Sequence, residues 1–375
     1  MRIKVITAVG TRPEIIRLSA VIEKLNQSPS IDHILIHTGQ NYDYELNEIF
    51  FEDLGLKAPD IYLDAVGRSQ METIGNILSK IDLVLEQEKP DAFLVLGDTN
   101  SCLCAMAAKK RKIPVFHMEA GNRCFDMRVP EELNRRIVDH VSDINLTYSD
   151  IARQYLISEG IPAERIIRTG SPMLEVLNNH LSKIKSSKVL KNLALEENKY
   201  FVVSSHRAEN VDSKKFKGFL LALNTIAEKY SFPIIFSTHP RTRIVLDKLN
   251  ISLNPLIKTL KPLSFSDYNA LQKNALAVLS DSGTISEESS ILNFRALNIR
   301  ESHERPEAME ETSVIMTGLD GDKILNALHE LLLQSKDDRD FGLVKDYSYT
   351  NVSNKVVRII LSYEHFIKRK VWNEY

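Results

Sequence analysis

The 375-residue chain has only three cysteines, Cys102, Cys104 and Cys124. So small and odd a number does not suggest the disulfide framework of a small secreted domain. Cys102 and Cys104 are separated by a single residue, which is too close for the usual zinc-binding pair, and no second ligand pair accompanies them. We therefore expect three buried free thiols and no zinc site.

Long apolar runs and an excess of charge are also absent. No run approaches the ~18 residues that a membrane-spanning helix needs. The N-terminus, MRIKVITAVGTRPE, lacks a signal-peptide layout because its short apolar stretch leads directly into a charged turn. The 48 Lys and Arg residues nearly balance the 50 Asp and Glu residues, whereas nucleic-acid-binding proteins normally have a basic excess. We expect a cytoplasmic protein that binds neither membranes nor nucleic acids.

Short, continuously apolar runs alternate with helical patterns along the whole chain. Runs of this kind are typical of a parallel sheet that helices cover on both faces, so we predict an α/β fold. The predicted strands are 3–10, 33–39, 91–97, 115–119, 144–149 and 166–170, followed by 200–206, 233–239, 256–260, 276–283, 296–299 and 314–318.

Two domains are the natural expectation for a chain of this length. A polar, lysine-rich stretch at 182–199 separates the two strand–helix arrays, which places the junction near 171–199. We predict one Rossmann-like domain over 1–171 and a second over 172–354, with a C-terminal helix at about 355–375 crossing back over the first. Two such domains that face each other form a cleft at the carboxyl ends of their strands, where ligands bind.

The first strand ends in GTRPE (10–14), with Arg12 and Arg17 close to a helix N-terminus. Arginines at a helix N-terminus favour an anion site. A plain strand–helix turn with solvated arginines is the alternative. The segment is not a GxGxxG fingerprint, so it does not support a dinucleotide cofactor.

Three carboxylates follow later strands of the first half. Asp98 lies in GDTNS, Glu119 in HMEAGNR and Glu131 in VPEELNRR. Neighbouring carboxylates in one cleft can have their pKa values separated, so that one acts as a base and another as an acid. The alternative is that Asp98 and Glu131 merely cap helices.

Histidines follow two strands of the second half, His206 in SSHRAEN and His239 in STHPRTR. A lone histidine is usually an ordinary structural residue. Here each has arginines close by in sequence, which favours a phosphate-binding role.

The strongest local pattern is LSDSGTISEES (279–289), in which a strand ends in a Ser-Gly-Thr turn that opens a helix. Free backbone N–H groups at Ser282 to Thr284 could hold a diphosphate, and Glu288 could reach a ribose diol. A simple capping arrangement is the alternative. Arg305 follows a later strand, in SHERPEAMEE.

Together GTRPE, GDTNS, HMEAGNR, VPEE, SSHRAEN, SDSGTISEE and ERPEA resemble, in order and spacing, the non-hydrolysing UDP-N-acetylglucosamine 2-epimerase family over about residues 3–370. The resemblance implies a GT-B fold, a homodimer, a UDP-sugar substrate, and neither a metal nor a nicotinamide cofactor. It implies catalytic roles for Asp98, Glu119, Glu131 and His206. It implies UDP-sugar contacts from Arg12, Arg17, His239, Ser282, Gly283, Thr284, Glu288 and Arg305.

The chain departs from the family pattern at several positions. Arg17 stands where the family has Lys, the turn is SGT where SGG is common, and Asn122, Val129 and Arg295 replace the usual Leu, Trp and Pro. Residues 40–47 read QNYDYELN instead of a Gln-His-Arg run that belongs to the family's allosteric segment, so we expect no second UDP-N-acetylglucosamine site. The alternative is that Gln40, Arg68 and His239 still form that site. These departures resemble a subgroup that forms UDP-N-acetyl-L-fucosamine.

Elimination is the chemistry that such a site can perform. The C2 hydrogen of an N-acetylhexosamine is not next to a carbonyl, and an oxidation route would need a nicotinamide. We therefore predict an isomerase that interconverts UDP-N-acetylglucosamine and UDP-N-acetylmannosamine through a 2-acetamidoglycal, for capsule or other cell-surface polysaccharides. The alternatives are the epimerase that forms UDP-N-acetyl-L-fucosamine, a GT-B glycosyltransferase, a hydrolysing epimerase, and a silent nucleotide-sugar-binding protein.

Overall fold

The computed structural model of the protein describes residues 2–39, 48–205, 210, 215–238, 240–249, 251–335 and 342–374. Two of the predicted site residues, His206 and His239, lie outside the described residues. So does the segment 40–47.

The chain divides into two compact units. Unit 1 consists of Met1–Asn179 and Asp346–Tyr375, and unit 2 is His180–Lys345. The C-terminal helix of the chain, Val352–Trp372, belongs to unit 1 and packs against its first helix, Arg12–Gln27.

Unit 1 contains a seven-stranded parallel sheet in the order β3-β2-β1-β4-β5-β6-β7. Unit 2 contains a six-stranded parallel sheet in the order β10-β9-β8-β11-β12-β13. The strands of unit 1 are β1 (Ile3–Val9), β2 (Ile31–His37), β3 (Ile61–Tyr62), β4 (Ala92–Leu96), β5 (Val115–Ala120), β6 (Ile144–Thr147) and β7 (Ile166–Arg168). Those of unit 2 are β8 (Phe201–Ser204), β9 (Ile234–Ser237), β10 (Ile257–Leu260), β11 (Ala277–Ser280), β12 (Ala296–Asn298) and β13 (Ile315–Met316).

Helices connect the parallel strands, as crossover connections require. The described helices of unit 1 are α1 (Arg12–Gln27), α2 (Glu48–Leu54), α3 (Gln70–Glu88), α4 (Cys104–Lys110), α5 (Pro130–Val141), α6 (Asp150–Ser158), α7 (Met173–Asn179) and α16 (Val352–Trp372). Those of unit 2 are α8 (Leu181–Ser186), α9 (Val189–Asn192), α10 (Phe216–Tyr230), α11 (Pro240–Leu249), α12 (Phe265–Lys273), α13 (Ile285–Leu292), α14 (Pro306–Glu310) and α15 (Gly321–Leu333).

Strand β4 shows why the sequence runs are continuously apolar. All five of its residues are buried. Phe93 and Val95 join one apolar cluster with Ile77 and Ile81 of α3 and Ala105 of α4. Because successive side chains alternate across a strand, the other residues of β4 face the opposite side of the sheet and are buried there as well.

Both sheets have the strand order of a Rossmann fold, so the predicted α/β class with two Rossmann-like units is confirmed. Every predicted strand is present. The sequence analysis missed β3, because two residues are too few to give an apolar run. In each sheet the order reverses beside the first strand of the unit, between β1 and β4 in unit 1 and between β8 and β11 in unit 2.

The part of the chain that the structure describes contains no helix long and apolar enough to cross a membrane. In the same residues no group of three or more His, Cys, Asp or Glu side chains could hold a metal ion. The three cysteines are free thiols, two of them buried and Cys124 half-buried.

Candidate active site

The connection from β1 to α1 brings an arginine onto a predicted catalytic carboxylate. Arg17 lies in the second turn of α1 and is buried. Its Nη1 atom is 2.7 Å from Oε2 of Glu119, which is also buried. Arg12, the first residue of α1, is half-buried and its guanidinium lies over the ring of Phe50. Two predicted site residues, Arg17 and Glu119, thus form one buried ion pair.

Glu119 has an unusual backbone conformation at the end of β5. Its φ angle is 64°, in the left-handed region, and the register with β6 shifts between Met118 and Ala120. A non-glycine residue in this region costs about 1–3 kcal/mol, and in this chain several others simply end helices, such as Lys89 and Ser231. Glu119 instead lies at a bulge in a buried strand, and such bulges are frequent next to active sites. The bulge directs the carboxylate toward the end of β4, where a Cβ atom on Gly97 would lie 3.8 Å from Oε1 of Glu119.

Asp98 follows Gly97 and is held by α5. Its Oδ2 atom accepts a hydrogen bond from Nε of Arg135 at 2.8 Å, and Nη2 of Arg135 is 2.7 Å away. Asn134 donates to the backbone oxygen of Asp98 at 2.9 Å. The N-cap position of the following short 3₁₀ helix is occupied by Thr99, whose side chain makes no capping hydrogen bond. Asp98 is therefore not a helix cap, and the capping alternative is excluded for it.

Helix α5 has a buried polar face that the sequence analysis did not find. Glu132, Arg135 and Asp139 are buried along one side of the helix, at a spacing of three and four residues. Burial opposes ionisation of Glu132, but hydrogen bonds from the Cys124 amide and from Arg135 bring the pKa of this carboxyl below its ordinary value. Glu131 precedes this face in the first turn of α5 and is half-buried.

Glu14, in the first turn of α1, is a second site residue that the sequence analysis missed. It is buried, and its carboxylate accepts hydrogen bonds from the Gly10 amide at 3.0 Å, from Thr11 Oγ1 at 2.8 Å and from Ser101 Oγ. It therefore ties the segment after β1 to the segment after β4, at the point where the strand order reverses. Burial raises the pKa of Glu14 to about 7, although all of these hydrogen bonds lower it.

The elevated pKa of Glu14 predicts a pH-dependent stability. Because the folded protein holds this proton more tightly than the unfolded chain, the stabilisation is complete below pH 4.5 and is lost as the pH rises to about 7. At 1.36 kcal/mol per pKa unit the loss is about 3 kcal/mol. Glu14→Gln should remove this dependence. The free energy of unfolding of the variant minus that of the wild type should therefore rise by about 3 kcal/mol between pH 4.5 and pH 8.

Urea unfolding of the two proteins across this pH range measures the difference. Glu23→Gln, on the exposed side of the same helix, is the matched control and should leave the pH dependence of the wild type unchanged. If Glu14→Gln and Glu23→Gln had the same pH dependence as the wild type, Glu14 would not be the buried acid described above.

In unit 2 the Ser-Gly-Thr turn lies between β11 and α13, as predicted, but its amides are not all free. The Ser282 amide donates to Ser280 Oγ at 3.1 Å, and the Thr284 amide donates to Ser282 Oγ at 3.3 Å. Side-chain hydroxyls thus satisfy donors that the sequence analysis assigned to a diphosphate. An incoming phosphate oxygen would have to replace these hydroxyls as the acceptor.

The other unit 2 residues of the prediction lie along α13 and after β12. Glu288 is buried in the first turns of α13. Its neighbour Glu287 is fully buried and lies 3.4 Å from Nη2 of Arg305, the residue that precedes α14.

The sequence model of a protein family described as UDP-N-acetylglucosamine 2-epimerase matches residues 23–361. The chain belongs to the UDP-N-acetylglucosamine 2-epimerase family. The resemblance that the motifs indicated is therefore confirmed.

Individual relatives in the UDP-N-acetylglucosamine 2-epimerase family align over nearly the whole chain. The structure of UDP-N-acetylglucosamine 2-epimerase from Rickettsia bellii has 49% sequence identity and a TM-score of 0.93, with 100% of both chains covered. That of the Methanocaldococcus jannaschii enzyme in complex with UDP-GlcNAc and UDP has 35% identity and a TM-score of 0.89, covering 96% of this chain and 99% of that one. UDP-N-acetylglucosamine 2-epimerase of Methanococcus maripaludis is 38% identical over 336 residues, which are 87% of this chain and 91% of that protein.

Proposed function

We propose that this protein is a non-hydrolysing 2-epimerase that interconverts UDP-N-acetylglucosamine and UDP-N-acetylmannosamine. Family membership supports the reaction class, and the UDP-GlcNAc and UDP bound in the Methanocaldococcus jannaschii structure support the substrate. The observation that carries the proposal lies in unit 1. Asp98 follows β4, beside the reversal of strand order, and Glu119 lies near the end of the neighbouring strand β5. A buried arginine contacts each of them.

The reaction proceeds by elimination and re-addition. A carboxylate removes the proton at C2, the electrons of the C2–H bond form a C1=C2 double bond, and the C1–O bond breaks with its electron pair going to the diphosphate of UDP. A carboxyl group then delivers a proton to the opposite face of C2 while UDP re-adds at C1. Asp98, Glu119 and Glu131 are the proposed acid–base groups.

The departing UDP needs donors and cations to stabilise its charge. For this role we propose Arg12 and Arg17 of unit 1. Arg17 also forms an ion pair with the proposed catalytic group Glu119. In unit 2 we propose the turn Ser282, Gly283 and Thr284 together with Arg305, and, from the family resemblance, His206 and His239. Glu288 is proposed as the acceptor for the hydroxyls of the ribose. Removal of one such contact typically lowers the rate by about 10²–10³-fold. We further propose that the enzyme is a cytoplasmic homodimer that supplies precursors of cell-surface polysaccharides.

A second candidate is epimerisation at C2 of UDP-2-acetamido-2,6-dideoxy-L-talose, which forms UDP-N-acetyl-L-fucosamine. The threonine of the SGT turn favours it. Thr284 Oγ1 is 3.0 Å from Ser282 Oγ, a contact that the more common glycine cannot make. This turn therefore differs from the SGG form in a side chain that lies beside the proposed diphosphate site.

Incubation with each UDP-sugar separately, followed by NMR of the products, tests the proposal. We expect UDP-N-acetylglucosamine to yield UDP-N-acetylmannosamine without release of free sugar. Conversion of the 6-deoxy-L-talose substrate alone would support the second candidate instead. Free N-acetylmannosamine with UDP would identify a hydrolysing enzyme, and no conversion of either substrate would contradict both candidates.

A further inference from the structure

His117 lies in the middle of β5 with both ring nitrogens engaged, and it is buried. Its Nδ1 atom is 2.9 Å from Oδ1 of Asp139, and its Nε2 atom is 2.9 Å from the backbone oxygen of Gly97. A neutral imidazole has one donor and one acceptor nitrogen. Because a carbonyl oxygen only accepts, Nε2 must carry a hydrogen. The charge of His117 then depends on whether Asp139 accepts or donates at Nδ1.

The surroundings of Asp139 require it to accept. The Gly121 amide donates to both of its carboxylate oxygens at 3.2 Å, and Nη1 of Arg123 donates to Oδ2 at 2.6 Å. Burial would raise the pKa of Asp139, but the hydrogen bonds from His117 and Arg123 outweigh it and hold this pKa below its ordinary value. An ionised Asp139 accepts from Nδ1, so both nitrogens of His117 carry hydrogens.

The charges of the surrounding cluster lead to the same conclusion. Arg123 bridges Asp139 and Glu159, with its Nη2 atom 2.6 Å from Oε2 of Glu159. Glu159 is partly exposed and also interacts with His140 and with the charge of Arg136. Asp139 is fully buried and shares its one arginine with Glu159, and a buried charge that is only partly compensated is costly. A proton on His117 would place a second cation beside Asp139. His140, which is half exposed and 3.3 Å from Glu159, lies at the outer end of the cluster.

The pair contacts the backbone beside both proposed catalytic carboxylates. The carbonyl that His117 holds belongs to the peptide unit that joins Gly97 to Asp98. Asp139 accepts a hydrogen bond from the amide of Gly121, which lies two residues after Glu119. His117 itself lies two residues before Glu119. Asp139 also lies on α5, the same helix as Arg135, and Arg135 donates a hydrogen bond to Asp98.

We propose that His117 is a positioning residue that acts as a doubly protonated imidazolium, fixing with Asp139 the peptide groups that orient Asp98 and Glu119. The positioning role rests on the proposed function, because it assumes that these two carboxylates are catalytic. The charge state of His117 does not rest on it. It is a property of the folded protein and can be measured without substrate.

Nitrogen NMR of the full-length, ¹⁵N-histidine-labelled protein at pH 8 tests the charge state. His33 provides an internal reference in the same sheet. Its Nδ1 atom faces the side-chain oxygen of Asn26, which accepts, and its Nε2 atom faces the hydroxyl of Thr7, which can donate. Burial lowers the pKa of His33 to about 4. We expect hydrogens on both nitrogens of His117 and on only one of His33. A His117 ring with one unprotonated nitrogen would overturn the proposal.

Kinetics of His117→Gln test the positioning role, with His33→Gln as the matched control. A misplaced catalytic group can cost up to about 100-fold. We expect kcat to fall about 10- to 100-fold in His117→Gln, with KM and UDP affinity nearly unchanged, and little effect in His33→Gln. A folded His117→Gln variant with normal kcat would contradict the positioning role.

The proposed function can fail separately. If Asp98→Asn were fully active while His117 was doubly protonated, the catalytic assignment would be wrong and the charge state would stand. If His117→Gln does not fold, Asp139→Asn offers a second variant. The side-chain NH2 of an asparagine can donate to Nδ1, which a carboxylate cannot do, so His117 becomes neutral and the doubly protonated NMR signature should be lost. A signature that persisted in Asp139→Asn would contradict the role of Asp139.

Discussion

Asp98→Asn is expected to lower turnover by at least about 100-fold while UDP affinity stays nearly unchanged. Loss of a positioned acid or base typically costs 10²–10⁴-fold. An asparagine has the shape of the aspartate and can still accept a hydrogen bond from Arg135, so the fold around the end of β4 should persist. Initial rates of epimerisation and calorimetric titration with UDP measure the two quantities.

The control for this variant is Asp150→Asn. Asp150 also follows a strand of unit 1, at the start of α6, but its side chain is 66% exposed and pairs with Arg168 on the surface. We expect normal turnover in this control. Near-normal turnover in Asp98→Asn itself would contradict the catalytic role of Asp98.

Arg17→Met is expected to destabilise the protein by about 3–5 kcal/mol. Removing one partner of a buried ion pair leaves the other charge uncompensated, and Glu119 has little access to water. Methionine preserves most of the apolar volume and suits the interior of α1. The free energy of unfolding from urea titration measures the effect.

A double-mutant cycle separates this effect from general damage to the helix. Arg17→Met combined with Glu119→Gln removes both charges and should recover much of the lost stability. Arg128→Met breaks an exposed pair with Asp126 and should change stability far less. If the double variant were as unstable as the sum of its two single variants, the ion pair would not be the cause.

The sheets could be predicted from the sequence because parallel strands leave a local trace. A strand buried on both faces must be apolar at every position, as β4 is, and this pattern needs no knowledge of the partner. The two-residue strand β3 is too short to give a recognisable apolar run. Asp98 and Glu119 could be found in the same way, since they come at the ends of such runs.

The residues that hold these carboxylates could not be predicted in this way. Arg135 meets Asp98 across 37 positions of the chain, and Asp139 meets His117 across 22. These contacts depend on which face of α5 packs against the sheet. A signal does exist for His117, because a histidine within a buried strand needs hydrogen-bond partners. The sequence does not say which side chains supply them.

Turnover of UDP-N-acetylglucosamine in D₂O tests elimination at C2 most directly. If a carboxylate removes the C2 proton and solvent exchange replaces it, the UDP-N-acetylmannosamine formed must carry deuterium at C2, and UDP must be re-attached at C1. NMR and mass spectrometry of the isolated product measure both. Deuterated UDP-N-acetylmannosamine is the expected result, and product that retains its original hydrogen at C2 would contradict the proposed elimination.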